Sequence, residues 1–303
     1  MSLLVFGLGY SAGAVLRRIA GRFEAIVGTT RSGRSDGASA RTIAFDGVAA
    51  GPELLAAIDD AEAVLVSIQP GEAGDPVLAA CGERLARAKR IRQIHYLSTI
   101  GVYGDHAGAW IDEGAALRGA AGRGRARVRA EEGWRALGAA LGAPVHLYRL
   151  GGIYGPGRNP LVDLARGTAR RIDKPGQVFN RIHVEDIAAI VAAGMADPGD
   201  GGAWNVVDDE PAPPAEVVRF AAEIAGVEPP PLIPFAQATL SPMAAAFYAD
   251  NRRVSNRAVK RRFLPALAYP TYREGLEALL ADGAFDPAAP SLRARDRAAP
   301  GSL

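Results

Sequence analysis

The segment Leu3–Ile19, LLVFGLGYSAGAVLRRI, constrains this chain most. An apolar run, Ser2–Phe6, reads as a buried strand. It ends in Gly7 and Gly9, and Ala12 completes a G-x-G-x-x-A pattern with Gly13 next. Val15, Leu16 and Ile19 then share one helix face. Glycines there permit a tight turn and close approach of the backbone to a pyrophosphate. The helix start supplies free N–H groups and the positive end of a dipole. Gly7, Gly9, Tyr10, Ser11 and Ala12 are therefore the expected phosphate-facing set, an ordinary strand–helix turn being the alternative.

The rest of the chain continues the alternation. Apolar runs at 23–28, 41–45, 63–68, 94–98, 144–150 and 203–207 read as strands, and 51–58, 75–90 and 125–141 as helices. Continuous apolar strands alternating with helices predict an α/β fold: a Rossmann-type, doubly wound parallel sheet of about seven strands with a small C-terminal substrate lobe. The expected Rossmann domain is 1–156, continued by 182–210. The expected lobe is 157–181 with 211–285, and a weakly ordered tail, 286–303, follows. VEPPPLIPF reads as an extended connector.

Lys+Arg 35 against Asp+Glu 33 leaves little surplus for gripping a polyanion, so no nucleic-acid partner is expected. The lone Cys81 excludes a disulfide framework, and no His/Asp/Glu spacing suggests a metal site. No apolar run approaches the ~18 residues of a membrane span, and the N-terminus lacks a basic leader. The expectation is a cytoplasmic protein with no membrane partner.

The end of the second strand bears on cofactor choice. An acid there serves the ribose of NAD. This chain has Thr30, Arg31 and Ser32 instead. Arg31 reads as a partner for a 2′-phosphate, with Thr30 and Ser32 as donors, or as a solvated loop arginine. The choice is NADP, with NAD as the alternative. Asp46, after the third strand, reads as an adenine contact or a turn aspartate. Ser67, near the end of the fourth, joins the cofactor-facing set.

Several segments together resemble the extended short-chain dehydrogenase/reductase family, the NAD(P)-dependent epimerase/dehydratase group. They are the glycine turn, LSTIGVYG (97–104), YRLGGIYGPGR (148–158), RIHVEDIA (181–188), WNVVDDEP (204–211) and YPTYREGLEALL (269–280). The resemblance implies NAD(P)-dependent oxidation, reduction, epimerisation or dehydration of a small alcohol or sugar-type substrate. It also implies a catalytic hydroxyl at Thr99, four residues before Tyr103, with Ser98 beside it; a Thr satisfying a strand-end backbone group fits equally.

The family's Tyr-x-x-x-Lys pair is missing. Matching its Ala-Glu pair to Ala130-Glu131 puts Arg123 at the tyrosine position and Arg127 at the lysine position. Arginine stays protonated, so Arg127 keeps the charge and ribose-binding roles but Arg123 is no acid or base. Tyr103, Tyr154 and Tyr10 are the other phenols near strand ends, and Tyr103 joins Thr99, Ser98, Arg127 and Arg123 as a candidate catalytic residue. The resemblance thus implies an atypical branch. Turnover with altered acid/base residues and a silent NADP(H)-binding sensor both stay open.

On helix 125–141, Ala126, Ala130, Trp134, Leu137 and Leu141 form one apolar stripe, with Arg123 and Arg127 on or beside it and Arg125 and Arg129 elsewhere. His183 reads as a strand-to-helix junction residue, His95 and His146 as core or sheet-surface residues. Arg158, Asn159, Arg166, Arg170, Arg171, Lys174 and Arg181 suggest an anionic substrate, or solvated arginines. A homodimer through sheet-flanking helices is what family members often form.

Overall fold

The computed structural model describes residues 1–19, 21–34, 40–119 and 122–285, without the side chains of 122, 123 and 243. The expected tail, 286–303, lies outside the described residues, as does the side chain of Arg123.

Seven parallel strands form the central sheet: β1 (Ser2–Phe6), β2 (Ala25–Thr30), β3 (Arg41–Ala44), β4 (Ala63–Val66), β5 (Gln93–Thr99), β6 (Val145–Leu150) and β7 (Gly202–Val206). Their order is β3-β2-β1-β4-β5-β6-β7, so the winding reverses between β1 and β4. Ligands of such sheets gather at the carboxyl ends of the strands, at that reversal.

The two-residue period of a strand sends alternate side chains to two cores. Leu3 and Val5 of β1 join α1 (Tyr10–Ile19) and the helix Val184–Ala196 in one apolar cluster. Leu4 and Phe6 join α2 (Pro52–Asp60), α3 (Pro76–Arg87) and α4 (Gly122–Leu141) in the other. Ala126, Ala130, Trp134 and Leu137 of α4 are buried, as the stripe requires. Gly122 and Gly124 do not delay this helix. A Cβ on Gly124 would come within 2.8 Å of Gly119 Cα and 3.3 Å of Gly101 O, so glycine lets the first turn of α4 press against the turn that follows β5.

β2 runs two residues later than the 23–28 pattern suggests. Pairing Ser2 with Ala25 and Thr30 with Ala44 draws Thr29 and Thr30 into the strand. That places Arg31 directly at the strand end.

His95 and His146 lie buried side by side on β5 and β6. His95 Nε2 donates to Gln93 Oε1 at 2.8 Å, so Nδ1 accepts from the Tyr148 hydroxyl at 3.0 Å. His146 Nε2 donates to Pro198 O at 2.7 Å and Nδ1 accepts from Trp204 Nε1 at 3.0 Å. Both rings are matched as neutral imidazoles, and burial holds both pKa values below the ordinary histidine range.

After residue 154 a separate apolar cluster forms around Leu161, Val217, Tyr272 and Leu276. It is built by the helices Pro160–Ala165, Pro214–Ile224 and Tyr272–Ala281. The proline-rich connector holds a short strand, Leu232–Pro234, paired in parallel with Arg171–Asp173. Proline is tolerated there because a two-stranded edge leaves its missing N–H unneeded. A helix, Pro242–Ala249, has no counterpart among the sequence expectations. It is apolar all round and shows no period, though Ser241 caps it and Pro242 opens it.

Candidate functional site

The glycine turn is tight beneath and open above. Gly7 has φ +91°, and a Cβ there would lie 2.8 Å from Ile68 Cγ1. Its N–H donates to Thr29 Oγ1 at 2.9 Å, and its carbonyl accepts from Ser67 Oγ at 2.8 Å. Gly9 is the reverse: a Cβ would meet nothing within 4 Å. Having no side chain, Gly9 cannot cap α1, so the first-turn N–H groups of that helix receive no cap from it. Ala12 is fully buried and packs α1 on the sheet. Ser11 is half-buried at the same helix start. Tyr10 is 38% exposed, and its hydroxyl donates across to Pro156 O at 3.0 Å.

The loop after β2 is a built turn. Thr30 Oγ1 donates to Arg34 O at 2.9 Å, Ser32 Oγ accepts from Arg34 N at 3.3 Å, and Thr42 Oγ1 donates to Gly33 O at 2.7 Å. Gly33 has φ +72° and sits against the backbone of Ala44. Thr30 and Ser32 therefore shape the loop with their own hydroxyls. Arg31 and Arg34 stand exposed, with no ion pair among the described residues. Sequence reasoning passed over Arg34, although a second cation three residues after Arg31 was its signal. Asp46 is exposed, and its carboxylate accepts from Val48 N at 2.9 Å, a turn contact.

The far half of the strand ends is filled by the protein itself. Ser98 is buried, and its hydroxyl donates to Glu131 Oε1 at 2.7 Å. Tyr103 is fully buried; its hydroxyl donates to Asn205 Oδ1 at 2.7 Å and accepts from Arg149 Nη1 at 2.8 Å. Burial raises its pKa, with the Arg149 charge opposing. The hydroxyls of Ser98 and Tyr103, two of the three candidates for catalysis, are thus spent inside the protein. Thr99 differs. It is half-buried, its oxygen accepts from Gly101 N at 3.1 Å, and its proton meets no acceptor among the described residues. Arg127 is half-buried and donates to Leu97 O at 3.2 Å, which turns it toward the end of β5. Arg129 is exposed on another face and reaches Glu72 O, and Arg125 is exposed.

All eight tyrosines are described, and six are buried. Tyr154, the other strand-end candidate, is 6% exposed and donates to Thr271 O at 3.2 Å. His183 is 2% exposed and caps the following helix, its Nδ1 accepting from Glu185 N at 3.3 Å; burial pulls its pKa down to about 4.

The basic cluster after residue 157 is largely internal. Arg170, Arg171, Lys174 and Arg181 donate to the backbone carbonyls of Thr239, Pro230, Tyr248 and Phe179. Asn159 caps the helix Pro160–Ala165. Arg158, Arg166 and Arg170 are the exposed members. Among the described residues, no helix is long and apolar enough to cross a membrane.

No family model matches the chain. A curated relative, protein YeeZ of Escherichia coli K12, is 30% identical over 184 residues, 58% of this chain and 64% of the relative. The chain thus matches less than two thirds of that relative's length. A functionally unknown conserved protein from Silicibacter pomeroyi is 47% identical with TM-score 0.83, covering 93% of this chain and 99% of the other. A Methylobacillus flagellatus protein assigned as an NAD-dependent epimerase/dehydratase is 25% identical with TM-score 0.70, covering 93% and 98%. At 19–20% identity the same fold recurs in human SDR39U1 with NADPH (TM-score 0.71) and in MoeE5 with UDP-glucuronic acid and NAD (TM-score 0.73). With its winding order, glycine turn and these neighbours, the chain has the fold of the extended short-chain dehydrogenase/reductase family and is similar to a protein of the NAD-dependent epimerase/dehydratase group.

Proposed function

We propose that this chain binds NADP(H) across the carboxyl ends of its strands and exchanges a hydride with a small alcohol or sugar-type substrate, using an altered acid/base set. The pyrophosphate lies over Gly9 and the start of α1, where N–H donors and open space coincide. Arg31, with Arg34 beside it, takes the 2′-phosphate. The observation that carries this choice is the pair of exposed guanidinium groups, without an ion pair among the described residues, on a turn tied down by Thr30, Ser32 and Thr42. Asp46 keeps its turn contact and serves the adenine edge only with its second oxygen.

On the other half, Thr99 donates to the substrate oxygen, and Arg127 holds the nicotinamide ribose in place of a lysine. Arg127 offers charge and donors but no proton. NADP(H) supplies or accepts the hydride when bound. Residues 157–181 and 211–285 form the substrate lobe, and Arg158 is its remaining exposed contact for an anionic group near the glycine turn.

A second reading is a silent NADP(H)-binding sensor. It is favoured by the burial of Tyr103 and Tyr154, whose hydroxyls are engaged within the protein. A crystal structure with NADP(H) tests the proposal. It expects Arg31 within hydrogen-bond distance of the 2′-phosphate and the Thr99 hydroxyl facing the nicotinamide C4. A phosphate pointing into solvent away from Arg31 sinks the cofactor choice. Turnover of any alcohol or sugar with NADP(H) separates the enzyme from the sensor.

A further inference from the structure

Glu131 is a carboxylate with no exposure at all, in the middle of α4. It accepts from Ser98 Oγ at 2.7 Å, from Arg149 Nε and Nη2 at 3.1 and 2.8 Å, and from Arg135 Nη2 at 3.4 Å. Ser98 and Arg149 are register partners on β5 and β6. Arg149 continues to Tyr103, and Tyr103 to Asn205 on β7. Asn205 in turn takes Glu113 on its N–H at 2.8 Å and gives its side-chain amide to Ser255 O at 3.1 Å.

A buried ion pair of this kind is weak evidence for stability, because well-packed apolar side chains often serve as well. Its geometry fixes position instead. Arg127 stands one turn before Glu131 on the same helix face. Thr99 directly follows Ser98, and Gly151 lies two residues beyond Arg149. The contact of Gly124 with Gly119 and Gly101 lets α4 come close but has no directional bond to set its register. The clamp at Glu131 supplies directional bonds from α4 to the sheet, beside the bond from Trp134 Nε1 to Asp75 Oδ2 at 2.9 Å.

We infer that Glu131, acting through Ser98 and Arg149, is the positioning residue of the nicotinamide half of the site: it places Arg127 and Thr99 relative to one another. Ser98 is then a positioning residue too and does not touch substrate. The inference rests on the proposed dinucleotide site, whose adenine half is built by other strands, β1 to β3.

The two halves are separable with two probes. Adenosine 2′,5′-bisphosphate reaches only the adenine half, whereas NADPH spans both. Ser98→Ala removes one bond to Glu131 and leaves the ion pair intact, so the variant folds. Its affinity for NADPH falls about tenfold, the order of one hydrogen bond to a charged group, while the bisphosphate binds as in the wild type. Ser98→Thr restores NADPH binding. The double variant Glu131→Met with Arg149→Met removes the clamp without leaving an unpaired charge, and shows the same selective loss. If Ser98→Ala binds both probes like the wild type, or loses both alike, the inference is overturned. A wild-type protein that binds neither probe overturns the dinucleotide reading and this inference with it.

Discussion

The strand ends of β1–β3 and those of β5–β7 are built on opposite plans. The first half is open. Gly9 faces empty space, and Arg31 and Arg34 project from a turn with no ion pair among the described residues. The second half is closed on itself: Ser98, Glu131, Arg149, Tyr103 and Asn205 satisfy one another in the interior. A half with unspent donors suits an anionic ligand that supplies the missing acceptors. A half whose buried Ser98, Arg149 and Tyr103 donors are spent on one another suits a rigid platform, and leaves Thr99 and Arg127 as the groups turned to its ligand.

The largest effect that separates the halves is on stability. Glu131→Ala strands the Arg149 charge in the core and costs about 3–5 kcal/mol, read from thermal or denaturant unfolding. A loss below ~1 kcal/mol would mean that the closed half is not tightly built. The glycine turn provides the next contrast. Gly7→Ala forces a side chain into φ +91° against Ile68, and destabilises by ~1–3 kcal/mol. Gly9→Ala enters open space, so it leaves stability within ~1 kcal/mol of wild type and weakens NADPH binding. Equal effects of the two on unfolding would erase the distinction between a turn's tight floor and its open face.

A smaller effect concerns pH. The pKa of His183 is depressed to about 4 from the model-compound value of 6.5. The unfolded chain therefore binds the proton first as pH falls. Stability contributed by the neutral ring is fully present above pH 6.5 and is lost between there and about 4, at up to ~1.4 kcal/mol per pH unit. His183→Gln keeps an acceptor for the Glu185 N–H and flattens that slope; an unchanged slope would remove His183 as its source. Least of all, Arg135→Ala removes a half-exposed partner of Glu131, and its loss stays within ~1 kcal/mol. A larger loss would show that Glu131 depends on Arg135 as much as on Arg149.

The two halves also differ in how legible they were. Gly7, Gly9 and Arg31 act through backbone conformation and strand-end position, both local in the chain, so adjacent residues carried the signal. Ser98 and Tyr103 have partners 33, 46 and 102 residues away. Nothing near them in sequence said that their hydroxyls were spent. A charge inside the apolar run VHLYRL was the trace Arg149 left, and a buried guanidinium requires a buried acid. The parallel sheet of about seven strands and the sheet-facing stripe of α4 followed from strand–helix alternation and periodicity. The helix Pro242–Ala249 did not, because an apolar segment without a period gives no face to read.

The central claim is that the open half holds the adenosine 2′-phosphate of NADP(H). Titrating the wild type and Arg31→Ala with NADPH and with NADH, followed by calorimetry, tests it directly. The wild type should prefer NADPH by about 10- to 100-fold, the worth of one charge-assisted bond to phosphate. Arg31→Ala should lose that preference while binding NADH as before. Equal wild-type affinity for the two nucleotides, or a preference that survives without Arg31, would contradict the account.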